Sequence, residues 1–252
     1  MGKRVVRRSK PEAHEHTEPN RSPVRALFSE RWSPLENTSL EPREHAYCRH
    51  VKAKSAGQQG LLDAIDNHNL IMALGPAGTG KTYLAIAKAV EALDSGAVTR
   101  IILSRPAVEA GESIGFLPGA VEDKLAPYLR PLVDALSDRM SPKRMKALMA
   151  EGVIEIAPVG YMRGRTLNNA FVVIDEAQNC TYVQLKMLLT RLGWRSTMIV
   201  TGDPGQSDLL PGMSGLGDIA DRLEALDDIA VVRLRDGDIV RHPLVASMLT
   251  VL

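Results

Sequence analysis

Cysteine is scarce in this chain: its 252 residues include two, Cys48 and Cys180. Two cysteines make no disulfide framework, and their separation is not that of a metal-ligating pair. A reducing, cytoplasmic interior is the compartment they suit. Long apolar runs are also missing. No stretch approaches the ~20 residues of a membrane-spanning helix, so no membrane partner is expected. The basic start, Lys3-Arg4-Val5-Val6-Arg7-Arg8, lacks the apolar segment that would make it a secretory signal. The histidines (His14, His16, His45, His50, His68 and His242) show no metal spacing. Net charge is almost absent, at +1. No internal repeat occurs.

The charge that is present is unevenly placed. Residues 1–52 hold 11 Lys and Arg against 7 Asp and Glu, a net +4, whereas the remainder holds 20 against 23, a net −3. The first segment also carries scattered prolines (Pro11, Pro19, Pro23, Pro34 and Pro42) and no sustained periodicity. Residues 1–54 therefore read as a mostly disordered basic arm, either a nucleic-acid element or a solvated tail.

Residues 55–252 read as one domain. Apolar runs at 70–74, 100–103, 153–157, 171–174, 197–201 and 229–234 are expected strands. Stretches at 81–95, 120–139, 142–150, 182–192, 215–226 and 243–250 are expected helices, the second broken or kinked at Pro127 and Pro131. Such alternation predicts an α/β fold, with a mostly parallel sheet and helices on both faces.

Between the first strand and the first of these helices lies Gly75-Pro76-Ala77-Gly78-Thr79-Gly80-Lys81-Thr82. Strand, glycine loop and helix is the context of a phosphate-binding loop. Glycines let backbone N–H groups curl around phosphate oxygens, and the helix N-terminus adds partial positive charge. Lys81 can reach β- and γ-phosphates, and Thr82 can place a hydroxyl on Mg²⁺. The plain alternative is a structural glycine turn.

Phe171-Val172-Val173-Ile174 ends in Asp175-Glu176-Ala177-Gln178. An acidic pair at a strand's C-terminal end lies beside the phosphate loop of a parallel sheet. Asp175 then holds Mg²⁺ and Glu176 deprotonates the attacking water. Alone, such a pair would read as a solvated turn. The strand at 197–201 runs on into Gly202-Asp203-Pro204-Gly205-Gln206, where Gln206 is a candidate γ-phosphate sensor and an ordinary turn is the alternative.

Six segments together resemble the PhoH-like ATPases, single-lobed relatives of superfamily 1 helicases. They are Gly75–Thr82, Arg105-Pro-Ala-Val-Glu-Ala-Gly-Glu112, Gly115-Phe-Leu-Pro-Gly119, Tyr161-Met-Arg-Gly-Arg-Thr-Leu167, Ile174-Asp-Glu-Ala-Gln-Asn179 and Arg241-His-Pro-Leu-Val245. The resemblance implies a RecA-like phosphate-loop NTPase fold, ATP and Mg²⁺ as ligands, and a homo-oligomeric ring, read as a hexamer. It also implies work on or with single-stranded RNA, and a role for Gln58 in reading the adenine edge. Many such relatives carry a folded RNA-binding-like or nuclease domain ahead of the core, for which residues 1–54 are too short and irregular. Pro204-Gly205 and an extra leucine before Pro211 depart from the family pattern.

Two-lobed helicases complete their ATP site with arginines from the second lobe. One lobe alone needs an arginine from elsewhere, and a neighbouring copy is the economical donor. Arg241 is the first candidate and Arg105 the second; a surface salt bridge is the alternative for Arg241. Residues 107–119 and Tyr161–Arg165 read as nucleic-acid contacts or as subunit contacts. Three functions stay open: a ring ATPase acting with RNA, a nucleotide-dependent regulatory module for a partner such as a ribonuclease, and a phosphate-loop kinase. Glu176-Ala177-Gln178 and the Gly202–Gln206 run disfavour the kinase, because they suit water activation.

Overall fold

The computed structural model describes residues 50–106 and 121–240. Helix α1 (Ala56–Asn67) starts at Ser55, whose hydroxyl accepts a hydrogen bond from the Gln58 backbone N–H at 3.1 Å. Then follow β1 (Leu70–Leu74), α2 (Lys81–Asp94), β2 (Arg100–Arg105), α3 (Val121–Ser137) and α4 (Pro142–Ala150). The remainder comprises β3 (Ile154–Pro158), β4 (Ala170–Ile174), α5 (Tyr182–Leu189), β5 (Thr197–Gly202), α6 (Leu216–Leu223) and β6 (Ile229–Arg233).

Among the described residues, six strands form one parallel sheet in the order β3-β2-β4-β5-β1-β6. The strands read as continuous apolar runs because both faces of the sheet are covered, yet the two-residue period still sorts them. Ile71, Ala73, Ile101, Leu103, Ile154, Val173 and Ile199 turn to the face covered by α1 to α4. Leu70, Met72, Leu74, Ile102, Val172, Met198 and Val200 turn to the other, where Leu185 and Leu188 of α5 and Leu216 and Ile219 of α6 meet them. The expected α/β architecture is therefore present.

Two features differ from the sequence reading. Helix α1 was not among the expected helices, although Ser55 three residues before Gln58 is a helix-start pattern. Of the break or kink expected at Pro127 and Pro131, the break is absent: α3 runs through both. Proline's fixed φ is compatible with a helix, and its cost is a lost donor and a local clash. Leu129, Leu132, Val133 and Leu136 of α3 are fully packed, and their burial offsets that cost. Residues 1–49 of the arm expected at 1–54, the segment 107–119, the helix expected at 243–250 and Arg241 lie outside the described residues. Among the described residues, no helix is long and apolar enough to cross a membrane.

The strand order places β1, β5, β4 and β2 side by side, with their C-terminal ends in step. Backbone bonds past the strand ends extend the register: Gly75 N–H donates to Gly202 O at 3.1 Å, and Asp175 N–H to Ser104 O at 2.8 Å. This brings the glycine loop after β1, the acidic pair after β4 and Arg105 at the end of β2 to one edge.

Candidate functional site

The loop between β1 and α2 is built on left-handed backbone. Gly75, Gly78 and Gly80 have φ of 141°, 87° and 84°, a region in which a side chain is strained. Gly75 also lies against the chain after β6, where a Cβ would sit 2.5 Å from the Leu234 carbonyl oxygen. Thr79 is fully buried and its hydroxyl donates to Pro76 O at 2.9 Å, which closes the loop on itself. Ala77 and Pro76 complete the turn.

Lys81, the first residue of α2, is buried, and its Nζ donates to Gly75 O at 2.6 Å and to Pro76 O at 2.8 Å. Burial pulls the ammonium below its ordinary pKa, opposed by the charges of Asp203, Glu176 and Asp175. One cation thus faces three carboxylates across the cleft. Next along α2, the Thr82 hydroxyl donates to Asp175 Oδ1 at 2.5 Å. Thr201, on β5, donates its hydroxyl to the same oxygen at 2.8 Å.

Asp175 is buried, and Glu176 is held at φ 52°, ψ 41°, in left-handed backbone, with its side chain part-exposed. Arg105 reaches both: Nη1 is 3.7 Å from Asp175 Oδ2, and Nη2 is 3.3 Å from Glu176 Oε1. The other Glu176 oxygen, Oε2, accepts from Gln178 Nε2. Gln178 is buried, and its Oε1 accepts from the Asp203 backbone N–H at 3.1 Å. Asn179 and Asp208 exchange two further bonds at 2.8 Å, so the loop after β5 is fastened to the turn after β4.

Gln58 lies on α1 against the phosphate loop. Its Nε2 donates to Thr79 O at 3.0 Å and its Oε1 accepts from the Lys54 N–H at 2.8 Å. The amide braces the loop and retains a second donor and a second acceptor position. Gln206 sits further out after β5, its N–H bonded to Asp203 O at 3.0 Å and its side chain exposed. Gln178 is the glutamine tied into the acidic pair. In the sequence Gln178 stands within the Ile174–Asn179 segment with no site role of its own, and its place two residues after Glu176 is the signal that points to one.

The segment after β6 closes the site from the α1 side. Asp238 accepts from Gly57 N–H at 3.2 Å and Arg235 N–H at 2.9 Å, and the Ser55 hydroxyl's hydrogen bond holds its carboxyl below the usual range. Val240 N–H donates to Gly78 O at 3.0 Å, so the chain meets its own loop one residue before Arg241.

Among the described residues no cluster of three or more His, Cys, Asp or Glu could hold a metal. Mg²⁺ does not need one, because it keeps several waters and takes one or two protein ligands beside substrate phosphates. The convergence of Thr82 Oγ1 and Asp175 Oδ1, both hard oxygen donors, fits that requirement.

A glycine loop at the head of a helix, a lysine inside it, and a carboxylate after β4, one strand removed from β1 across β5, define a phosphate-loop NTPase fold of RecA-like α/β architecture. The chain belongs to the PhoH-like protein family, whose model matches residues 50–252. It is 57% identical over 199 residues to a PhoH-like protein of Mycobacterium tuberculosis, covering 79% of this chain and 56% of that one. A PhoH-like protein of Bacillus subtilis is 51% identical over 210 residues, 83% of this chain and 66% of the other. The chain thus spans between about half and two-thirds of the length of these relatives. Among solved structures, the large terminase of a thermophilic bacteriophage matches with a TM-score of 0.48 at 14% identity, over 78% of this chain and 49% of that one.

The loop geometry makes a differential prediction. Gly75→Ala and Gly80→Ala both incur left-handed strain, roughly 1–2 kcal/mol. Gly75→Ala also drives a Cβ into backbone, whereas at Gly80 the nearest atom is the Gln58 amide nitrogen at 3.1 Å, the end of a flexible side chain. Chemical denaturation should show the larger loss for Gly75→Ala; an equal or larger loss for Gly80→Ala contradicts the loop packing.

Proposed function

We propose that this chain is an Mg²⁺-dependent ATPase that hydrolyses ATP to ADP and phosphate. The observation that carries this reading is the meeting of Thr82 and Asp175 at 2.5 Å, between Lys81 on one side and Glu176 on the other. Thr82 and Asp175 would hold Mg²⁺, which would supply positive charge to the phosphate oxygens. Lys81 exchanges its loop carbonyls for β- and γ-phosphate oxygens, and the N–H groups of residues 78–82 line the phosphates. Glu176 accepts a proton from the attacking water as its oxygen bonds to the γ-phosphorus. The bond from that phosphorus to the β–γ bridging oxygen breaks, and its electron pair leaves with ADP. Gln58, bonded to the loop through Thr79 O, is proposed to read the base, and Gln206, exposed after β5, is proposed to respond to the γ-phosphate once nucleotide is bound.

The active form is proposed to be a homo-oligomeric ring, a hexamer, working on or with single-stranded RNA in the cytoplasm. Support for the ring is the single lobe: the described residues build one sheet with helices on its two faces. The transition state then takes a cation from a neighbour, with Arg241 as the residue supplied. Support for RNA comes from Tyr161 and Arg163, both exposed on the turn after β3, an aromatic residue and a cation two positions apart in sequence. Arg165 does not join them; it pairs with both oxygens of Glu155, and that bond raises its pKa.

Phosphate release measured against protein concentration, with and without single-stranded RNA, tests the reading. Turnover per subunit should rise to a plateau as the ring assembles, and RNA should stimulate it. Lys81→Ala should abolish turnover and weaken ATP binding; near-normal hydrolysis would remove the phosphate-loop assignment. Arg241→Ala should bind ATP yet turn over roughly 10³-fold or more slowly. Mixed with Lys81→Ala it should regain activity, since an intact loop then meets an intact arginine. No recovery despite subunit exchange would contradict a role across the boundary.

A further inference from the structure

Glu176 presents a problem that a catalytic base must solve. Its side chain is 38% exposed, and its backbone is left-handed, so neither burial nor a regular strand fixes the carboxylate. Something must hold it toward the attacking water. Two groups do so, one on each oxygen: Arg105 Nη2 lies 3.3 Å from Oε1, and Gln178 Nε2 donates to Oε2.

Arg105 is itself well fixed. It is the last residue of β2, one position beyond Ser104, whose carbonyl accepts the Asp175 N–H at 2.8 Å. Its other terminal nitrogen lies 3.7 Å from Asp175 Oδ2. Asp175 in turn is buried and held through Oδ1 by Thr82 and Thr201. The planar guanidinium therefore spans a buried carboxylate and a part-exposed one, and transmits the position of the first to the second. A planar fork can do this; an ammonium, a single point of charge, cannot bridge the two with the same geometry.

We propose that Arg105 is a positioning residue for Glu176, acting within its own chain. It rests on the reading of Glu176 as the base that takes the water's proton. In this role Arg105 is not the neighbour-supplied arginine of a ring, because both of its terminal nitrogens already face carboxylates of its own strand ends. It aligns the base, and the gain is in the chemical step and not in nucleotide affinity.

The test is a double-variant cycle on the full chain with Arg105→Ala, Glu176→Gln and the pair together. Arg105→Ala should keep the ATP dissociation constant within about two-fold, since the loop supplies the affinity, and lower kcat about ten-fold or more. Arg105→Lys should restore part of kcat. In the Glu176→Gln background the Arg105→Ala loss should nearly vanish, because the residue it positions is already gone. Mixing Arg105→Ala with Lys81→Ala should give no recovery under conditions where subunits exchange. Wild-type kcat in Arg105→Ala overturns the proposal, as do full additivity in the cycle or recovery on mixing. If Arg105→Ala does not fold, Arg105→Gln replaces it and the same outcomes apply. Full activity in Glu176→Gln would instead sink the base assignment itself, which separates the two failures.

Discussion

The buried charge of Asp175 is the constraint around which the site is arranged. An ionised carboxylate taken out of water costs several kcal/mol unless it is paired and hydrogen-bonded. Here the compensation comes from elements far apart in sequence: Thr82 on α2, Thr201 on β5 and Arg105 on β2. Each can reach it only if the strand order places β2, β4 and β5 together and aligns their ends. The fold solves the carboxylate's solvation, and the same solution gathers a hydroxyl, a lysine, a second carboxylate and an arginine at one edge.

The phosphate loop obeys a related rule. Its glycines adopt left-handed backbone to present N–H groups, and that conformation must be held by its surroundings. Gln58 from α1 bonds Thr79 O, Val240 from the last segment bonds Gly78 O, and the chain after β6 closes over Gly75. Asp238 then joins that last segment back to α1 through Gly57. The loop is thus braced by the first and last described elements of the domain, which makes loop shape a property of the whole fold.

Much of this was legible in the sequence because it is local. Glycine spacing, an apolar strand before it and a helical period after it all lie within about 20 consecutive residues, and the six strands are short apolar runs with clear edges. What escaped depends on long-range contacts. Helix α1 has a modest apolar face, and its value lies in seating Gln58 and Ser55 against residues 79 and 238. The continuity of α3 through Pro127 and Pro131 is a tertiary override, in which core packing outweighs propensity. Arg105 read as one of two arginines that could serve a neighbour, because sequence cannot show that β2 lies beside β4 and aims it at its own acidic pair. Likewise the bridge that Gln178 makes from the turn after β4 to the loop after β5 depends on its burial, which local spacing does not display.

The central claim is a division of labour, in which the loop and Asp175 bind and Glu176 performs the chemistry. ATP affinity and single-turnover phosphate release in Glu176→Gln measure it most directly. The account predicts near-normal affinity for Mg·ATP with phosphate release slowed by about 10²-fold or more, the usual contribution of a positioned base. Release near the wild-type rate, or affinity and rate lost in parallel, would contradict it.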